Sequence, residues 1–264
     1  MDFGIFSNGF RPHTTAAQTY QDDIDEIVLA DKLGFRDVFI SEHHGEAPYI
    51  NRVDTIPAPE FMMCKLAGLT QNIRMGAAVK LLHLHHPLDI AVQAATIENL
   101  IGKGRFIFGF GSGFPHPQAS ISRGLTFEDR HSRLREALDT VLRCWAEDEP
   151  FDLDGKYWRG ENLVALPKPL THPHMPMATA SDSPETIKMA GERGYTLLCA
   201  FFESEEMLRG KADLYEEAGR KAGHSDPRKG VAGSRAVYVA RSKAQAFEDL
   251  RPAVTHEVGL QAER

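Results

Sequence analysis

The sequence predicts an α/β fold, a parallel TIM (β/α)8-type barrel with helices covering its outer face. Three observations predict it. Short β-rich apolar runs alternate with longer segments of helical periodicity along the whole chain. No linker divides that series. The polar residues capable of chemistry collect just after the strand segments, at the end where parallel barrels build their sites. The length of 264 residues is also close to the roughly 250 of one such barrel.

The elements follow in order. Phe3 to Phe6 opens as a strand. After a polar, proline-containing loop, Tyr20, Ile24, Ile27 and Val28 fall at helical spacing until Gly34 stops the helix. Asp37 to Ser41 is the second strand, and Pro59 to Thr70 reads as a helix with proline in its first turn. Arg74 to Leu82 is the third strand, Pro87 to Ile101 the next helix, and GKGRFIFGFG carries a turn into strand four. Arg130 to Ala146 is the longest helical stretch, with Leu134, Leu138, Val141, Leu142 and Trp145 on one face. Between 150 and 176 the character changes to aromatic and β-branched residues around Asp154-Gly155, the mark of a small inserted hairpin. The alternation resumes with a strand at Pro176 to Ala180, a helix from Pro184 to Arg193 and a strand near Leu197 to Ala200. A further helix, a strand at Arg235 to Val239 and a final helix from Lys243 to about Glu257 complete it. Seven strands are predicted, so residues 1–264 read as a single barrel domain with an insertion at 150–176 and without the last βα unit.

Composition narrows the function. Thirty basic residues against 37 acidic give a formal charge of −7, with the basic residues scattered, which argues against a nucleic-acid partner. No apolar run reaches the ~18 residues of a membrane span and no signal peptide opens the chain, so a cytoplasmic location is expected. Cys64, Cys144 and Cys199 are widely separated and set among apolar residues, as reduced core thiols are.

A dinucleotide-binding open sheet would carry its glycine fingerprint at the first strand-to-helix turn, which here is SNGFRPHTT. The glycine cluster Gly109, Gly111 and Gly113 after strand four lacks that spacing and suits close backbone approach at a barrel mouth. At the predicted strand ends stand Ser41-Glu42-His43-His44, His83-Leu-His85-His86, GFGSGFPHP and Ser181-Asp182-Ser183-Pro184. The last is either an ordinary helix cap with Ser183 capping, or a phosphate site on the free N–H groups of a helix start. Asp182 favours the cap. His83 and His85, two apart on a strand, either share a divalent metal ion or are solvated loop histidines. Extended, His43 and His44 point to opposite sides, so one of them faces the site and can act as a base or hydrogen-bond donor near neutrality.

The ordered set of these pieces resembles the luciferase-like flavin-dependent monooxygenases, nearest the limonene 1,2-monooxygenase-like branch. The resemblance covers nearly the whole chain. It is carried by Phe39-Ile-Ser-Glu-His-His44, Arg74-Met-Gly-Ala-Ala-Val79 with His86-Pro87, and Gly104 to Gly113. It continues in Asp129-Arg130 with Glu136, and in His174 to Pro184 through Ala190 to Gly194. It implies a (β/α)8 barrel that binds reduced FMN supplied by a separate flavin reductase and activates O2. It implies His44 as the catalytic histidine beside the flavin. Ala77, Ala78 and Val79 would pass under the ring through a cis peptide at Ala78-Val79. Gly111 and Ser112 would lie beside the cofactor, and the phosphate would lie near Ser181, Asp182 and Ser183. Many relatives carry arginine where Ser112 stands. The substrate implied is a small, mostly apolar molecule, and relatives are often homodimers. On the same fold the alternative is an F420-dependent reductase or dehydrogenase. A metal-dependent hydrolase using His83 and His85, and a non-catalytic flavoprotein or barrel fragment, are the readings from other classes.

Overall fold

The computed structural model describes residues 2–9, 11, 14–43, 56–113, 120 and 123–262, the last seven through their backbone. The chain runs β1 (Gly4–Ser7), α1 (Ala16–Lys32), β2 (Asp37–Ile40), α2 (Pro59–Ala67), β3 (Arg74–Ala77), β4 (Lys80–Leu81), α3 (Pro87–Ile101) and β5 (Phe106–Gly111). It continues with α4 (Arg130–Ala146), the hairpin β6 (Phe151–Asp154) and β7 (Arg159–Leu163), β8 (Met177–Ala180), α5 (Pro184–Arg193), β9 (Thr196–Cys199), α6 (Glu205–Lys221), β10 (Val231–Gly233) and α7 (Lys243–Ala262).

The main strands pair in the order β1-β2-β3-β5-β8-β9-β10, with β4 also on β5, and every pairing is parallel. Among the described residues β1 and β10 are the edges, so the sheet is a curled open wall. Its outer face buries one continuous core against the helices. Ile24 and Ile27 of α1, Met63 and Leu66 of α2, Ile90 and Ala94 of α3, Val141 and Trp145 of α4 and Tyr215 of α6 meet Val38, Ile40, Met75, Phe106, Phe108, Phe110, Met177 and Leu197. Local signals bound several of the helices. Thr15, Ser183 and Ser204 cap α1, α5 and α6 through their hydroxyls, and Gly194 closes α5 in the left-handed conformation at φ +68°, which costs glycine little.

Carboxylates, two of them buried, tie loops to helices. Asp31, at the end of α1, accepts the N–H groups of Gln71, Asn72 and Ile73 ahead of β3. Burial alone would raise its pKa, but those three donors hold it below the ordinary range. Glu98 of α3 accepts from the N–H groups of Leu170 and Thr171 and the Thr171 hydroxyl. Glu136 of α4 accepts from Lys156, Tyr157 and Trp158 and holds the inserted hairpin.

Two expectations are corrected. The third strand does not run unbroken from Arg74 to Leu82. It stops at Ala77, restarts as the two residues of β4, and passes into a single 3-10 turn at Leu82–Leu84. The last strand is Val231–Gly233, not Arg235 to Val239. Val231 to Gly233 pair with Leu197 to Cys199, and Ser234 N–H donates to Cys199 O. There β9 ends, so among the described residues the β-branched run has no neighbour to pair with, and Val237 and Val239 stand 82% and 87% exposed. Strand propensity without a half-buried surface does not make a strand.

Candidate active site

Side chains alternate across each strand, so the residues out of phase with the outer core face the concave side. Near its N-terminal end this face is closed by charge. The Arg74 guanidinium donates from Nε to Asp37 Oδ1 at 2.6 Å and from Nη2 to Asp37 Oδ2 at 2.9 Å. Above that pair sits a small second core of Phe39, Ile107 and Ala178, with Ala78 and Leu198 packed on it. At the C-terminal strand ends the positions in phase are Ser41, Ala78, Gly109, Gly111 and Ala180. A closed parallel barrel fills these layers with branched residues. Here the upper layer holds almost nothing beyond Cβ and leaves a broad floor.

The break in strand three shapes that floor. Gly76 pairs with Ile107, and the next pairing is Lys80 with Phe110. Between those pairs three residues on one strand, Ala77, Ala78 and Val79, oppose two on its neighbour, Phe108 and Gly109, a bulge, and the Ala78-Val79 peptide within it is cis, at the bond the family resemblance implies. The bulge presses Ala77 onto β5. A Cβ on Gly109 would fall 1.7 Å from Ala77 O, and one on Gly111 would fall 2.5 Å from Val79 Cγ2. The glycines after strand four thus serve close backbone approach. The Ala77 side chain itself joins the outer core, so its backbone is what it offers to the concave side.

Because β5 pairs with β8 through Phe110 and Thr179, Gly111-Ser112 and Ser181-Asp182-Ser183 emerge on neighbouring strand ends. Ser181 Oγ accepts from Ser183 N–H at 3.0 Å. Ser183 Oγ accepts from Thr186 N–H at 3.5 Å and donates to Glu185 at 2.6 Å. The capping reading of this helix start is therefore realised. Asp182 meets a partner that the sequence did not reveal, Lys211 of α6, which also bridges to Glu203.

On β2 the phase is equally clear: Ile40 lies in the outer core, and Glu42 pairs with Lys80, the residue opposite outward-facing Phe110. Ser41 lies between them, 3% exposed, with its hydroxyl lacking a hydrogen-bond partner among the described residues. His43 is next in phase with Phe39 and Ser41. His44 lies outside the described residues.

Behind this end is a buried charge cluster. Lys80 Nζ lies 3.2 Å from Glu42 and 3.0 Å from Glu60 of α2, and His85 Nε2 lies 3.4 Å from Glu42. Burial works against the Lys80 charge, but the two carboxylates outweigh it and raise its pKa. A lysine inside the apolar run MGAAVKLL was the sequence signal for this cluster, because lysine is rarely buried without partners.

His83 and His85 do not share a strand face, since the 3-10 turn separates their surroundings. His83 is 3% exposed, and burial, reinforced by Arg133 and Arg130, lowers its pKa to about 4. Among the described residues no three potential metal ligands come together, and no helix is long and apolar enough to cross a membrane.

The comparisons with known proteins agree with this geometry. The chain is 27% identical over 265 residues to 2,5-diketocamphane 1,2-monooxygenase 1 of Pseudomonas putida, covering 93% of this chain and 70% of that one. It is 27% identical over 255 residues to limonene 1,2-monooxygenase of Rhodococcus erythropolis, covering 95% and 64%. Among solved structures, the oxygenating constituent of 3,6-diketocamphane monooxygenase from Pseudomonas putida, in complex with FMN, superposes with a TM-score of 0.81 at 26% identity, over 98% of this chain and 76% of that one. The profile of luciferase-like monooxygenases matches residues 1–263, and the chain belongs to that family.

Proposed function

We propose that this protein is the oxygenating component of a flavin-dependent monooxygenase that inserts oxygen from O2 into a small, mostly apolar organic molecule. The observation that carries the reading is the concave floor at the ends of four consecutive strands. Its upper layer is reduced to Ala78, Gly109, Gly111 and Ala180, and beside it stands the hydroxyl of buried Ser41, unpartnered among the described residues. A flat ring system fits a floor without side chains, and its heteroatoms would answer the hydroxyl.

On this reading the backbone of Ala77, Ala78 and Val79 and the glycine edge at Gly111 and Ser112 hold the ring of FMN, while Ser181, Asp182 and Ser183 receive its phosphate. Reduced FMN, when bound, supplies the electrons that activate O2. The protein's own share is to exclude water, orient the substrate and hold a proton. The histidine for that last task comes from the His43-His44 pair. The resemblance assigns it to His44, and the alternation from Phe39 through Ser41 favours His43. Substrate meets apolar walls. Phe6 is 39% exposed in inward phase, and Phe201 and Phe202, edge to face at 5.3 Å after β9, are 45% and 58% exposed.

The diketocamphane relative is described as an oxygenating constituent, which supports a separate reductase delivering FMNH2 here. A single domain over 1–264, a homodimer and a cytoplasmic setting complete the proposal. Anaerobic titration with reduced FMN beside reduced F420, followed by O2 and a panel of monoterpenes and cyclic ketones, tests it. Uptake of FMN with 18O from labelled O2 in the product is expected. Uptake of F420 alone, with hydride transfer and no oxygen incorporation, replaces the monooxygenase with a reductase.

A further inference from the structure

The end of β8 holds a charge conflict. Asp182 stands between the two serines with its side chain 87% exposed, and Glu185 in the first turn of α5 adds a second carboxylate. Both would repel a phosphate. The only cation bonded to Asp182 among the described residues comes from the neighbouring βα unit. Lys211 Nζ lies 2.5 Å from Asp182 Oδ1 and 2.9 Å from Glu203 Oε1, with its own side chain just 10% exposed. Glu203 is a fixed anchor, since its Oε1 also accepts the Ala200 N–H at 2.7 Å and its side chain is 4% exposed. Its Oε2 is buried without a hydrogen-bond partner among the described residues. Burial disfavours the Lys211 charge, but the two carboxylates prevail and raise its pKa, so the ammonium is present at neutral pH.

Resting on the reading that the flavin phosphate lies at Ser181 to Ser183, we propose that Lys211 is the positioning residue that makes this helix start compatible with a phosphate. It acts through Asp182, neutralising that carboxylate and holding it toward α6. It thereby sets the preference for FMN over riboflavin, which lacks the phosphate. The ring and its contacts are untouched by Lys211, so the effect is confined to the phosphorylated flavin.

Fluorescence titration of wild type, Lys211→Met, Lys211→Arg, Asp182→Asn and the double variant Lys211→Met with Asp182→Asn, each with FMN and with riboflavin, tests this. Removing the cation leaves a bare carboxylate near a dianion, and FMN binding should weaken about tenfold while riboflavin binding changes little. Adding Asp182→Asn should restore FMN, and Lys211→Arg should retain it. Asp182→Asn alone keeps Lys211 on Glu203 and should raise the FMN-to-riboflavin ratio, which gives a reading even if Lys211→Met does not fold. Equal weakening of both flavins in Lys211→Met, or an unchanged ratio in Asp182→Asn, overturns the proposal alone. A wild-type protein that binds neither flavin overturns the flavin reading and this proposal with it.

Discussion

Gly109 faces the carbonyl of Ala77 so closely that a methyl group on Gly109 would sit 1.7 Å from that oxygen. The contact is backbone against a bare Cα, and neither side has a rotamer with which to yield. Gly109→Ala should therefore separate β3 from β5 or prevent folding, at a cost of about 3 kcal/mol or more, the upper end of overpacking effects. Thermal unfolding checks the cost. A variant as stable as wild type would mean that the bulge is not held as described.

Lys80 should matter in proportion to the charge it answers. Lys80→Met takes the lysine charge away from Glu42, whose side chain is fully buried and keeps His85 beside it, and from Glu60. Breaking a buried pair from one side costs about 3–5 kcal/mol. Adding Glu42→Gln should recover a large part of that loss in chemical denaturation, and failure to recover any would show that the lysine stem, not its charge, is what counts.

Glu136 gathers the N–H groups of Lys156, Tyr157 and Trp158. Glu136→Ala removes all three acceptor contacts, and the hairpin Phe151–Leu163 should lose hydrogen-exchange protection at those amides while the sheet keeps its own. The global loss should be about 1–3 kcal/mol. Glu136→Gln, which retains one carbonyl oxygen, should fall between. Loss of protection throughout α4 would make the hairpin part of the main cooperative unit.

His83 predicts a pH dependence. Its folded pKa of about 4 lies below the ordinary 6.5, because burial and the neighbouring Arg133, Arg130 and His85 disfavour its charge while Glu42 only partly offsets them. Between those values the unfolded chain binds the extra proton, so stability falls as pH drops from 6.5 toward 4. The difference in unfolding free energy between wild type and His83→Leu should shift toward the variant by about 3 kcal/mol across that window. A difference independent of pH would contradict the assignment.

The histidine pair is separable by activity. With one member beside the cofactor, its alanine variant should lose roughly 10²-fold or more in turnover, the scale of lost acid-base assistance, and the other should lose far less. The phase of β2 predicts that His43→Ala is the damaging change. The opposite order would return the role to His44.

Periodicity and local chemistry determined the βα series, the helices Pro87–Ile101, Arg130–Ala146 and Pro184–Arg193, and the inserted hairpin. Each is encoded within a few residues by apolar spacing, caps, prolines and the Asp-Gly turn. The strand ends that carry Gly111, Ser112 and Ser181 were legible for the same reason, since strand phase and direction follow from the pattern, whereas Ala78 read as mid-strand and was singled out only by the family resemblance. What only the tertiary structure decided depends on partners distant in the chain. RAVYV has strand composition and no neighbour among the described residues, so the edge strand formed four residues earlier. The bulge at Ala78-Val79 exists because β5 dictates register on both sides of it. Lys80 and Lys211 gained their roles from carboxylates 20 to 38 residues away, with Glu203 just before the start of Lys211's own helix as the one nearer partner, and pairing of charge at the longer range leaves no periodic trace in sequence.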